Sequence, residues 1–534
     1  MKYKIILIFF LFSNFLIAQE KSNSSWWNGL NDEWKREFKE EISLLSDREP
    51  NETELQEILN LKSVTISENK NISSLEPLKA IKNLEELYAS SVTNISSLES
   101  LRNLKNLNSV GLKDTKVSDL EPIKNLDIVT LGLYNTNVSD LEIVRNFKNL
   151  IWLNCGSTKI KNLEGLKNLK KLKTLYISDL QIHSLKGIEE LLNLQLMVCQ
   201  NSKIRNLKEL ENLTNLEKLY FGNNQIKQLN GIENLKKLEY LDCRNNQITS
   251  LEGINHLTNL KDLYCNINQI SSLEEIKYLT NLQNLYCNNN QIVSLEGVNY
   301  LTNLKDLYCY CNKIKNLEAL KNLSELRQLI CYENQITSLK GVEKLMELHY
   351  LDVDKNPIKD LKNLESLTNL KKLFFSFTEI VNLKGIENLK NLVEIRFENT
   401  EVESLKELKN LEKLKYIACL NTQIKSLKGL ENLNNLEKLY CKNTKIKSLK
   451  SLKNLKNLKI LNCMNTQIKS LKGLENLNNL EILVCSNTSI KSLKELENLN
   501  LNYLYCANND LIESAEIEEF TKKHSSCKLI LKEE

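Results

Sequence analysis

Cysteine is the residue type whose spacing in this chain is most regular and whose chemistry is most varied. Twelve of the fourteen cysteines lie on a grid with an interval of 22 residues. Some grid positions hold other residues, and the last interval is one residue shorter. Regularly placed thiols can pair as disulfides, bind a metal or act as nucleophiles. The choice among these roles depends on the elements that carry them. The grid positions are Cys155, Cys199, Cys243, Cys265, Cys287, Cys309, Cys331, Cys419, Cys441, Cys463, Cys485 and Cys506.

The cysteine position belongs to a buried strand, which favours a structural role for the thiols. In other turns the same position holds Leu133, Ile177 or Val353, so cysteine takes the place of a small hydrophobic residue. Neighbouring parallel strands lie about 4.8 Å apart, but their in-register side chains point the same way, which suits a disulfide torsion poorly. We therefore expect a ladder of buried thiols, with only Cys311 and Cys527 off the grid. The four histidines are scattered, so no metal site or cofactor is predicted.

The repeating unit combines a short strand with a tight return. One turn, starting at Asn259, reads NLKDLYCNINQISSLEEIKYLT. Leu263 and Cys265 are two residues apart, the period of a strand with one buried face. The later apolar residues recur every third position, which suits a 3₁₀ or irregular return. At the bend Asn268 can hydrogen-bond backbone groups that the turn leaves unpaired.

Repetition of this unit predicts a capped solenoid. The grid can be followed over residues 61–509 and comprises 21 turns, the first and last of which are one residue out of step. Each turn buries its apolar side only against its neighbours. Stacked strands would form a parallel sheet roughly 100 Å long at about 4.8 Å per strand. In many turns threonine replaces the asparagine, and since a hydroxyl makes fewer hydrogen bonds than an amide, we expect those turns to be less tightly tied.

The pattern LxxL-x-[LC]-xx-N-x-I-xx-L-xx-[LI]-xx-L resembles the leucine-rich repeat family. The 22-residue length and phrases such as NNQITSLEGI and NTQIKSLKGL are similar to the internalin-type class of bacterial repeats. The resemblance covers about 450 of the 534 residues. It implies a curved solenoid of the α/β type whose concave strand face binds protein. It carries no catalytic residues that could be transferred to this chain.

The two ends differ in composition from the repeats. Residues 1–18 have Lys2 and Lys4 before an apolar run that is too short to span a bilayer, which predicts a secretory signal peptide. Residues 19–60 are interpreted as a linker and helical cap, with Asn31 as the N-cap of a helix that carries Trp34 and Phe38. Residues 510–534 are interpreted as a C-terminal cap, a helix over Glu513 to His524 followed by a strand after Cys527.

Aromatic residues gather on strand positions that the core does not need. They alternate with the buried pair and would therefore face the concave side over roughly seven turns. Exposed aromatic area in a concavity is typical of interaction sites, although stacked tyrosines also stabilise a sheet. Asp242, Asp262, Asp306, Asp352 and Asp354 border the cluster and could meet a basic partner. The predicted partner-binding residues are Tyr220, Tyr240, Tyr264, Tyr286, Tyr308, Tyr310, Tyr332, Tyr350 and Phe374.

These features favour an exported, non-enzymatic protein-binding module, whose protein partner the sequence does not name. A surface adhesin of the internalin kind is the alternative, and a regulator of an enzyme such as a phosphatase is a third reading. The protein would be periplasmic, secreted or attached to the cell surface. Residues 442–472 hold nine lysines and no acid, which suggests a weak polyanion site or, more simply, a solvated face. The near-balanced net charge of +4 names no partner. Export and the lack of aromatic residues among these lysines argue against nucleic acid, and no nucleophile with its base is present.

Overall fold

The computed structural model describes residues 23–92 and 94–532. The proposed signal peptide, residues 1–18, lies outside this range. Contacts divide the chain into a first unit that ends at Gln247 and a second unit that begins at Ile248. Each unit is described separately.

The first unit opens with helices that cover the first turn. Residues 23–28 are helical, and helix α1 (Asp32–Glu41) and helix α2 (Glu52–Leu59) follow. The predicted N-cap is confirmed, since Asn31 Oδ1 accepts a hydrogen bond from the Trp34 amide at 2.9 Å. Trp34 and Phe38 are buried, and the Trp34 indole donates to the Ser74 carbonyl oxygen at 3.0 Å. These tryptophan and phenylalanine side chains therefore hold the cap on the repeats.

Helix α2 was not predicted from the sequence. Its N-terminus carries a capping box, in which Asn51 and Glu54 each accept a hydrogen bond from the other's backbone amide. The sequence signal was present as asparagine followed three residues later by glutamate. Leu55 and Ile58 are buried on the inner face of the helix.

Short parallel strands follow one another through the rest of the first unit. Each strand pairs in register with the next, so that Leu153 lies opposite Leu175, one repeat further on. Between strands the chain forms 3₁₀ segments or turns, as predicted. The strands are β1 (Ser63–Ser67), β2 (Glu86–Ser90), β3 (Ser109–Gly111), β4 (Thr130–Gly132), β5 (Trp152–Asn154), β6 (Thr174–Tyr176), β7 (Leu196–Val198), β8 (Lys218–Tyr220) and β9 (Tyr240–Asp242). The 3₁₀ segments are Glu76–Ala80, Glu99–Leu101, Glu121–Ile123, Val144–Asn146, Glu164–Leu166 and Lys208–Leu210.

The second unit continues the same pattern and ends in a helix and a strand. Helix α3 (Ser514–Lys523) precedes β22 (Lys528–Ile530), which pairs with the last repeat strand, so the predicted helix and strand are both present. The strands are β10 (Asp262–Tyr264), β11 (Asn284–Tyr286), β12 (Asp306–Tyr308), β13 (Gln328–Ile330), β14 (Tyr350–Asp352), β15 (Lys372–Phe374), β16 (Glu394–Arg396), β17 (Tyr416–Ala418), β18 (Lys438–Tyr440), β19 (Ile460–Asn462), β20 (Ile482–Val484), β21 (Tyr503–Tyr505) and β22. The 3₁₀ segments are Ile254–His256, Glu274–Tyr278, Val298–Tyr300, Glu318–Leu320, Lys362–Leu364, Lys406–Leu408, Lys450–Leu452 and Lys494–Leu496.

The predicted burial of the grid cysteines is confirmed. All twelve are buried with the leucines and isoleucines, whereas Cys311 and Cys527 are half-buried. Burial raises the pKa of Cys265 and of Cys463 to about 12, because a thiolate would lose its hydration in the core. These thiols therefore act as small hydrophobic side chains.

The asparagine and threonine versions of the turn are tied differently within the second unit. We call the turns that contain Asn290, Asn312, Asn334 and Asn356 the asparagine turns. In Asn312 the amide nitrogen donates to the Cys309 oxygen in its own turn at 3.0 Å and to the Cys287 oxygen in the preceding turn at 3.1 Å. Its Oδ1 accepts from the Ile292 amide at 3.0 Å, which makes a second link to the preceding turn.

We call the turns that contain Thr400, Thr422, Thr444 and Thr466 the threonine turns. The Thr444 hydroxyl donates to the Cys441 oxygen at 2.7 Å, a bond within its own turn. The residue before each threonine is an asparagine with a positive φ, and these asparagines bond to one another on the surface, as in Asn443 Nδ2 to Asn421 Oδ1 at 2.6 Å. The expectation that threonine makes fewer bonds is correct, but a surface amide ladder replaces part of the link.

Alternate turns of the second unit differ in their return segment. Gly385, Gly429 and Gly473 have φ near +105 to +110° and recur every 44 residues, or two turns. A Cβ on Gly429 would stand 2.4 Å from the Leu405 oxygen in the preceding turn. Glycine is required there by both the backbone conformation and the close approach. The structural repeat is therefore a pair of turns.

Candidate functional site

The predicted site residues lie on the face of each sheet opposite the core, which we call the open face. In the second unit Tyr264, Tyr286 and Tyr308 form one column on β10, β11 and β12. Their ring centroids are 4.4 Å and 4.5 Å apart, with interplanar angles of 8° and 15°. Tyr310 and Tyr332 form a second column, 4.4 Å apart at 11°. All five side chains are half-buried.

Stacking determines which part of each ring a partner could touch. Because the faces of neighbouring rings cover one another, edges and hydroxyl groups point away from the sheet. Burial raises the pKa of the Tyr286 and Tyr332 hydroxyls above the ordinary value, so both remain protonated donors at neutral pH. The Tyr308 hydroxyl donates to Gln328 Oε1 at 3.2 Å. The two columns therefore present a strip of hydroxyl groups on an aromatic base.

Phe374 differs from the expected exposed ring. It is only 7 % exposed, and the Arg396 guanidinium carbon lies 4.6 Å from its ring centroid. Tyr350 packs edge-on against it, with 5.2 Å between centroids, and remains half-buried. The expectation was wrong for Phe374 because it took no account of the neighbouring arginine, whose long side chain reaches across from β16.

Two acids beside the columns sit in an unusual electrostatic environment. Asp352 is 8 % exposed, and burial raises its pKa to about 6. Burial and the nearby Asp352 charge raise the pKa of Asp354 to about 7. Asp354 Oδ1 accepts from the Ser376 amide at 2.5 Å. This end of the strip therefore loses negative charge between pH 7 and pH 6.

The first unit contains two of the predicted residues. Tyr220 and Tyr240 are half-buried, with centroids 4.6 Å apart and an interplanar angle of 29°. Asp242 was expected to border the site and be available to a basic partner. It is fully buried instead, paired with Arg244 at 2.7 Å and bonded to Gln200 at 3.0 Å. Its carboxylate is committed to these internal partners.

A row of variable side chains next to the columns was not predicted as a row, although the sequence had singled out Cys311 as off the grid and Phe377 as an aromatic residue just beyond its strand. These residues occupy the turn position with φ between 51° and 57°, which glycine and asparagine tolerate best. Ile267 and Phe377 are 46 % and 53 % exposed, and the Cys311 thiol donates to Glu333 at 2.9 Å. The signal was the exchange of asparagine for unrelated residue types at one repeat position. The members are Ile267, Cys311, Glu333, Lys355 and Phe377, which we call the rim row.

The lysine-rich stretch has the exposure of a solvated surface. Of its nine lysines, eight are exposed and Lys442 is half-buried. Lys459 pairs with Glu437 at 3.1 Å. Within residues 23–92 and 94–532, no helix has the length and apolar character needed to cross a bilayer. The same described residues contain no cluster of three or more potential metal ligands.

Comparisons with known proteins agree with this repeat architecture. Residues 236–278, 280–322, 324–366, 434–478 and 456–498 match the family described as leucine rich repeats (2 copies). No curated protein matches the chain. Among solved structures, the plant peptide hormone receptor RGFR1 in complex with RGF2 has a TM-score of 0.64 at 18 % identity, covering 86 % of this chain and 88 % of the receptor.

Two bacterial structures are also similar. The Leptospira interrogans leucine-rich repeat protein LIC12759 has a TM-score of 0.58 at 24 % identity, covering 78 % of this chain and 99 % of that one. The functional domain of InlJ from Listeria monocytogenes, which includes a cysteine ladder, has a TM-score of 0.57 at 26 % identity, covering 64 % and 75 %. The fold is therefore that of a leucine-rich repeat solenoid. Its repeats are internalin-like.

Proposed function

We propose that this chain is an exported, non-enzymatic module that binds a protein partner on the open face of its second unit. The observation that carries the proposal is the coincidence of the two tyrosine columns with the rim row. Tyrosine supplies a large contact area at a small cost in side-chain entropy. The repeat scaffold supplies a rigid base, because the strands that carry the columns are hydrogen-bonded in register to their neighbours in the sheet.

The rim row supports a functional reading because its residues are unfavourable for the backbone. A β-branched residue such as Ile267 with φ of 57° is strained, and asparagine would relieve the strain. Strained positions with exposed side chains are typical of functional surfaces. The rim row brings apolar, thiol, acidic and basic side chains to one border of the columns, which suits a specific partner better than a uniform surface would.

Charge indicates the character of the partner's contact surface. Asp306 and Asp354 lie half-buried among the tyrosines, next to the buried Asp352, and burial raises the pKa of all three. A basic side chain from a partner would stabilise their ionised forms. The oxygen atoms of the tyrosine hydroxyls would accept hydrogen bonds from the same basic residues. We therefore infer a partner that brings at least one lysine or arginine to the strip.

Export remains part of the proposal, and residues 1–18 would act as the signal peptide. Residues 19–60 and 510–534 would be the caps of a repeat region over residues 61–509. The RGFR1 structure is that of a receptor in complex with a peptide hormone, which illustrates how a leucine-rich repeat protein of this size binds a ligand. A periplasmic, secreted or surface-attached protein would meet its partner outside the cytoplasm.

A crosslinking capture from envelope and secreted fractions tests the proposal. The test variant replaces Tyr264, Tyr286 and Tyr308 by alanine, which removes both the stacked rings and the hydroxyls, and circular dichroism checks that it is folded. Its matched control replaces Tyr278 and Tyr300 by alanine, since these tyrosines are 53 % and 55 % exposed on the return segments. A specific protein that is captured by wild type and by the control but not by the test variant supports the open face. Identical capture by all three proteins contradicts it.

A further inference from the structure

A hollow on the open face of the first unit lies apart from the tyrosine columns and is lined by different residue types. Strand positions between the two buried anchors hold Tyr88, Gly111, Gly132 and Asn154 on β2 to β5. The two glycines lack the side chain that other strands carry there. The resulting hollow has a volume of about 750 Å³. Its floor is the backbone of β3 and β4.

Two aromatic side chains lean over these glycines. Tyr88 Cδ1 lies 2.9 Å from the place where a Cβ on Gly111 would stand, and its hydroxyl is 3.0 Å from Ser109 Oγ. Trp152 Cζ3 lies 3.6 Å from the corresponding place on Gly132. The Tyr88 side chain is therefore fixed across the neighbouring strand, and it is still 36 % exposed. The hollow thus has aromatic side chains on its sides, and it stays open because Gly111 and Gly132 have no side chains to fill it.

The rim of the hollow is polar and almost uncharged. Ser90, Thr130 and Asn154 contribute hydroxyl and amide groups. Lys113 is the one charged residue among the lining residues, and its ammonium lies 5.8 Å from the centroid of the Tyr134 ring. The lining contains no carboxylate. A ligand with many neutral hydrogen-bonding groups fits this lining better than a charged one.

We propose that this hollow binds a neutral oligosaccharide chain. The C–H groups on the face of a sugar ring carry a partial positive charge and pack against the negative face of an aromatic ring. The hydroxyls of the sugar both donate and accept hydrogen bonds, as the rim groups do. An open hollow on a sheet also lets a longer chain continue beyond the bound sugars.

A peptide that pairs through its main chain does not fit the floor. The Leu112 amide donates to the Gly132 oxygen at 2.7 Å, and the Leu133 amide donates to the Asn154 oxygen at 2.6 Å. These strands are internal to the sheet of the first unit, so they offer no free edge for strand addition. Recognition in the hollow must rely on side chains, as in the binding of sugars.

Affinity gel electrophoresis with soluble neutral polysaccharides tests this proposal. The probes are hydroxyethylcellulose, xyloglucan, galactomannan, laminarin and glycol chitin, each at several concentrations in the gel. We expect at least one of them to retard the wild-type protein. Trp152→Ala should reduce that retardation at least tenfold, since it removes one aromatic wall. Gly111→Ala should reduce it comparably, because the new Cβ would displace the Tyr88 ring.

Two controls separate the hollow from the rest of the molecule. Ile151→Ala removes a neighbouring side chain that is 38 % exposed and should leave retardation unchanged. Tyr286→Ala in the second unit should also leave it unchanged, so the result is independent of the proposed protein partner. Circular dichroism checks that each variant is folded. If Trp152→Ala does not fold, Gly111→Ala is the test variant.

Three outcomes overturn the assignment. The first is that none of the five probes retards the wild-type protein. The second is retardation that persists in both Trp152→Ala and Gly111→Ala, which would place the sugar elsewhere. The third is that the wild-type protein binds a tryptophan-containing peptide in calorimetry and none of the polysaccharides. That result would assign the hollow to a side chain of a protein partner.

Discussion

The asparagine turns and the threonine turns of the second unit use different side-chain hydrogen bonds to link one turn to the preceding turn. Both have a buried leucine or isoleucine anchor in each strand, and three of the four turns in each set bury a cysteine, with Val353 and Phe397 in its place in the other two. In the asparagine turns the linking amide is buried and reaches the preceding turn, as in Asn334 Nδ2 to the Cys309 oxygen at 3.1 Å. In the threonine turns the linking amides lie one residue earlier, on the surface, as in Asn465 Nδ2 to Asn443 Oδ1 at 2.6 Å.

The two kinds of turn also differ in the residue that precedes the asparagine or the threonine. In the asparagine turns the position before the buried asparagine holds Asn289, Cys311, Glu333 and Lys355, and the last three bond to one another on the surface through Glu333. In the four threonine turns the preceding position is asparagine, whereas Thr378, which makes the same hydroxyl bond, is preceded by Phe377. The tyrosine columns and most of the rim row belong to the part of the unit with buried asparagines. Four of the five rim-row residues therefore precede a buried asparagine, and Phe377 precedes a threonine.

The largest expected effect tests the core that both kinds of turn share. Leu263→Asp in the first part of the unit and Leu439→Asp in the threonine turns each place a charge where the side chain is fully buried. We expect each to lower the free energy of unfolding by about 4 kcal/mol or more, because the charge has no partner in the core. Urea titration followed by circular dichroism measures the loss.

Val293→Asp is the control for these substitutions, since Val293 is 50 % exposed and a charge there remains hydrated. It should change stability by about 0.5 kcal/mol or less. A folded Leu263→Asp protein with wild-type stability would show that the strand register is wrong. A large loss for one leucine and a small one for the other would show that the two cores differ.

The next effect concerns pH and the acids beside the tyrosines. In the folded protein the pKa of Asp352 is about 6, whereas an unfolded aspartate titrates near 4. Between pH 4 and pH 6 the folded state keeps the Asp352 proton that the unfolded state has lost. The neutral Asp352 therefore favours folding fully below pH 4, and the free energy of unfolding falls as the pH rises towards 6 and Asp352 becomes charged. The shift of about two units corresponds to about 3 kcal/mol.

Urea midpoints at pH 4.5 and pH 7.5 measure this dependence in wild type and in Asp352→Asn. The difference between the two proteins should be largest at pH 7.5, where the wild type carries the buried charge. Asp360→Asn is the control, since Asp360 is exposed and ion-paired with Lys362 at 3.5 Å. Equal pH dependence of all three proteins would contradict the burial of Asp352.

A smaller effect follows from exchanging the two kinds of turn. Asn312→Thr removes two buried hydrogen bonds of the asparagine side chain. One is donated to the Cys287 oxygen, and the other is accepted from the Ile292 amide. We expect a loss of about 2 kcal/mol, because the hydroxyl of threonine cannot replace both bonds. Amide hydrogen exchange at Ile292 should become faster than at Ile270, whose own partner Asn290 is unchanged.

The reciprocal change, Thr444→Asn, sharpens the comparison. Its surface ladder, which includes Asn443 to Asn421, remains in place. The change should therefore alter stability by about 1 kcal/mol or less. If Asn312→Thr and Thr444→Asn were equally damaging, the links would not distinguish the two kinds of turn.

The smallest effect concerns the strained rim row. Ile267→Asn should raise the free energy of unfolding by about 1 kcal/mol, because asparagine adopts a positive φ at lower cost than a β-branched residue. Asn443→Ile, at the same repeat position, should lower it by about 1 kcal/mol or slightly more. Thermal melting of both variants measures the pair. Destabilisation by Ile267→Asn would mean that its exposed side chain contributes to packing.

Much of the fold was predictable because burial repeats with the sequence. The period of 22 residues locates β1 to β21, and alternation within each strand identifies which residues are buried. The capping box of Asn51 and Glu54 was visible but was not used. The burial of Asp242 and Phe374 was not predictable from the repeat, since it depends on Arg244 and Arg396, which reach sideways across the open face.

The candidate site was predictable only in outline. Strand alternation indicated that Tyr264, Tyr286 and Tyr308 share one face, and the structure places them in one column. Their face-to-face stacking depends on side-chain torsions, which repeat spacing does not determine. The hollow over Gly111 and Gly132 escaped notice for a related reason. A missing side chain leaves no sequence pattern unless its aromatic neighbours are considered with it.

The pairing of turns into units of 44 residues also bears on how the gene can change length. Residues 421–437 and 465–481 have the same sequence, NTQIKSLKGLENLNNLE, at a separation of 465 − 421 = 44 residues. Recombination between the corresponding stretches of DNA would delete or duplicate a whole pair of turns without altering any residue at the junction. Each strand would still meet a strand of matching register, because every turn contacts only its neighbours. Alleles of different length could then encode proteins that fold equally well.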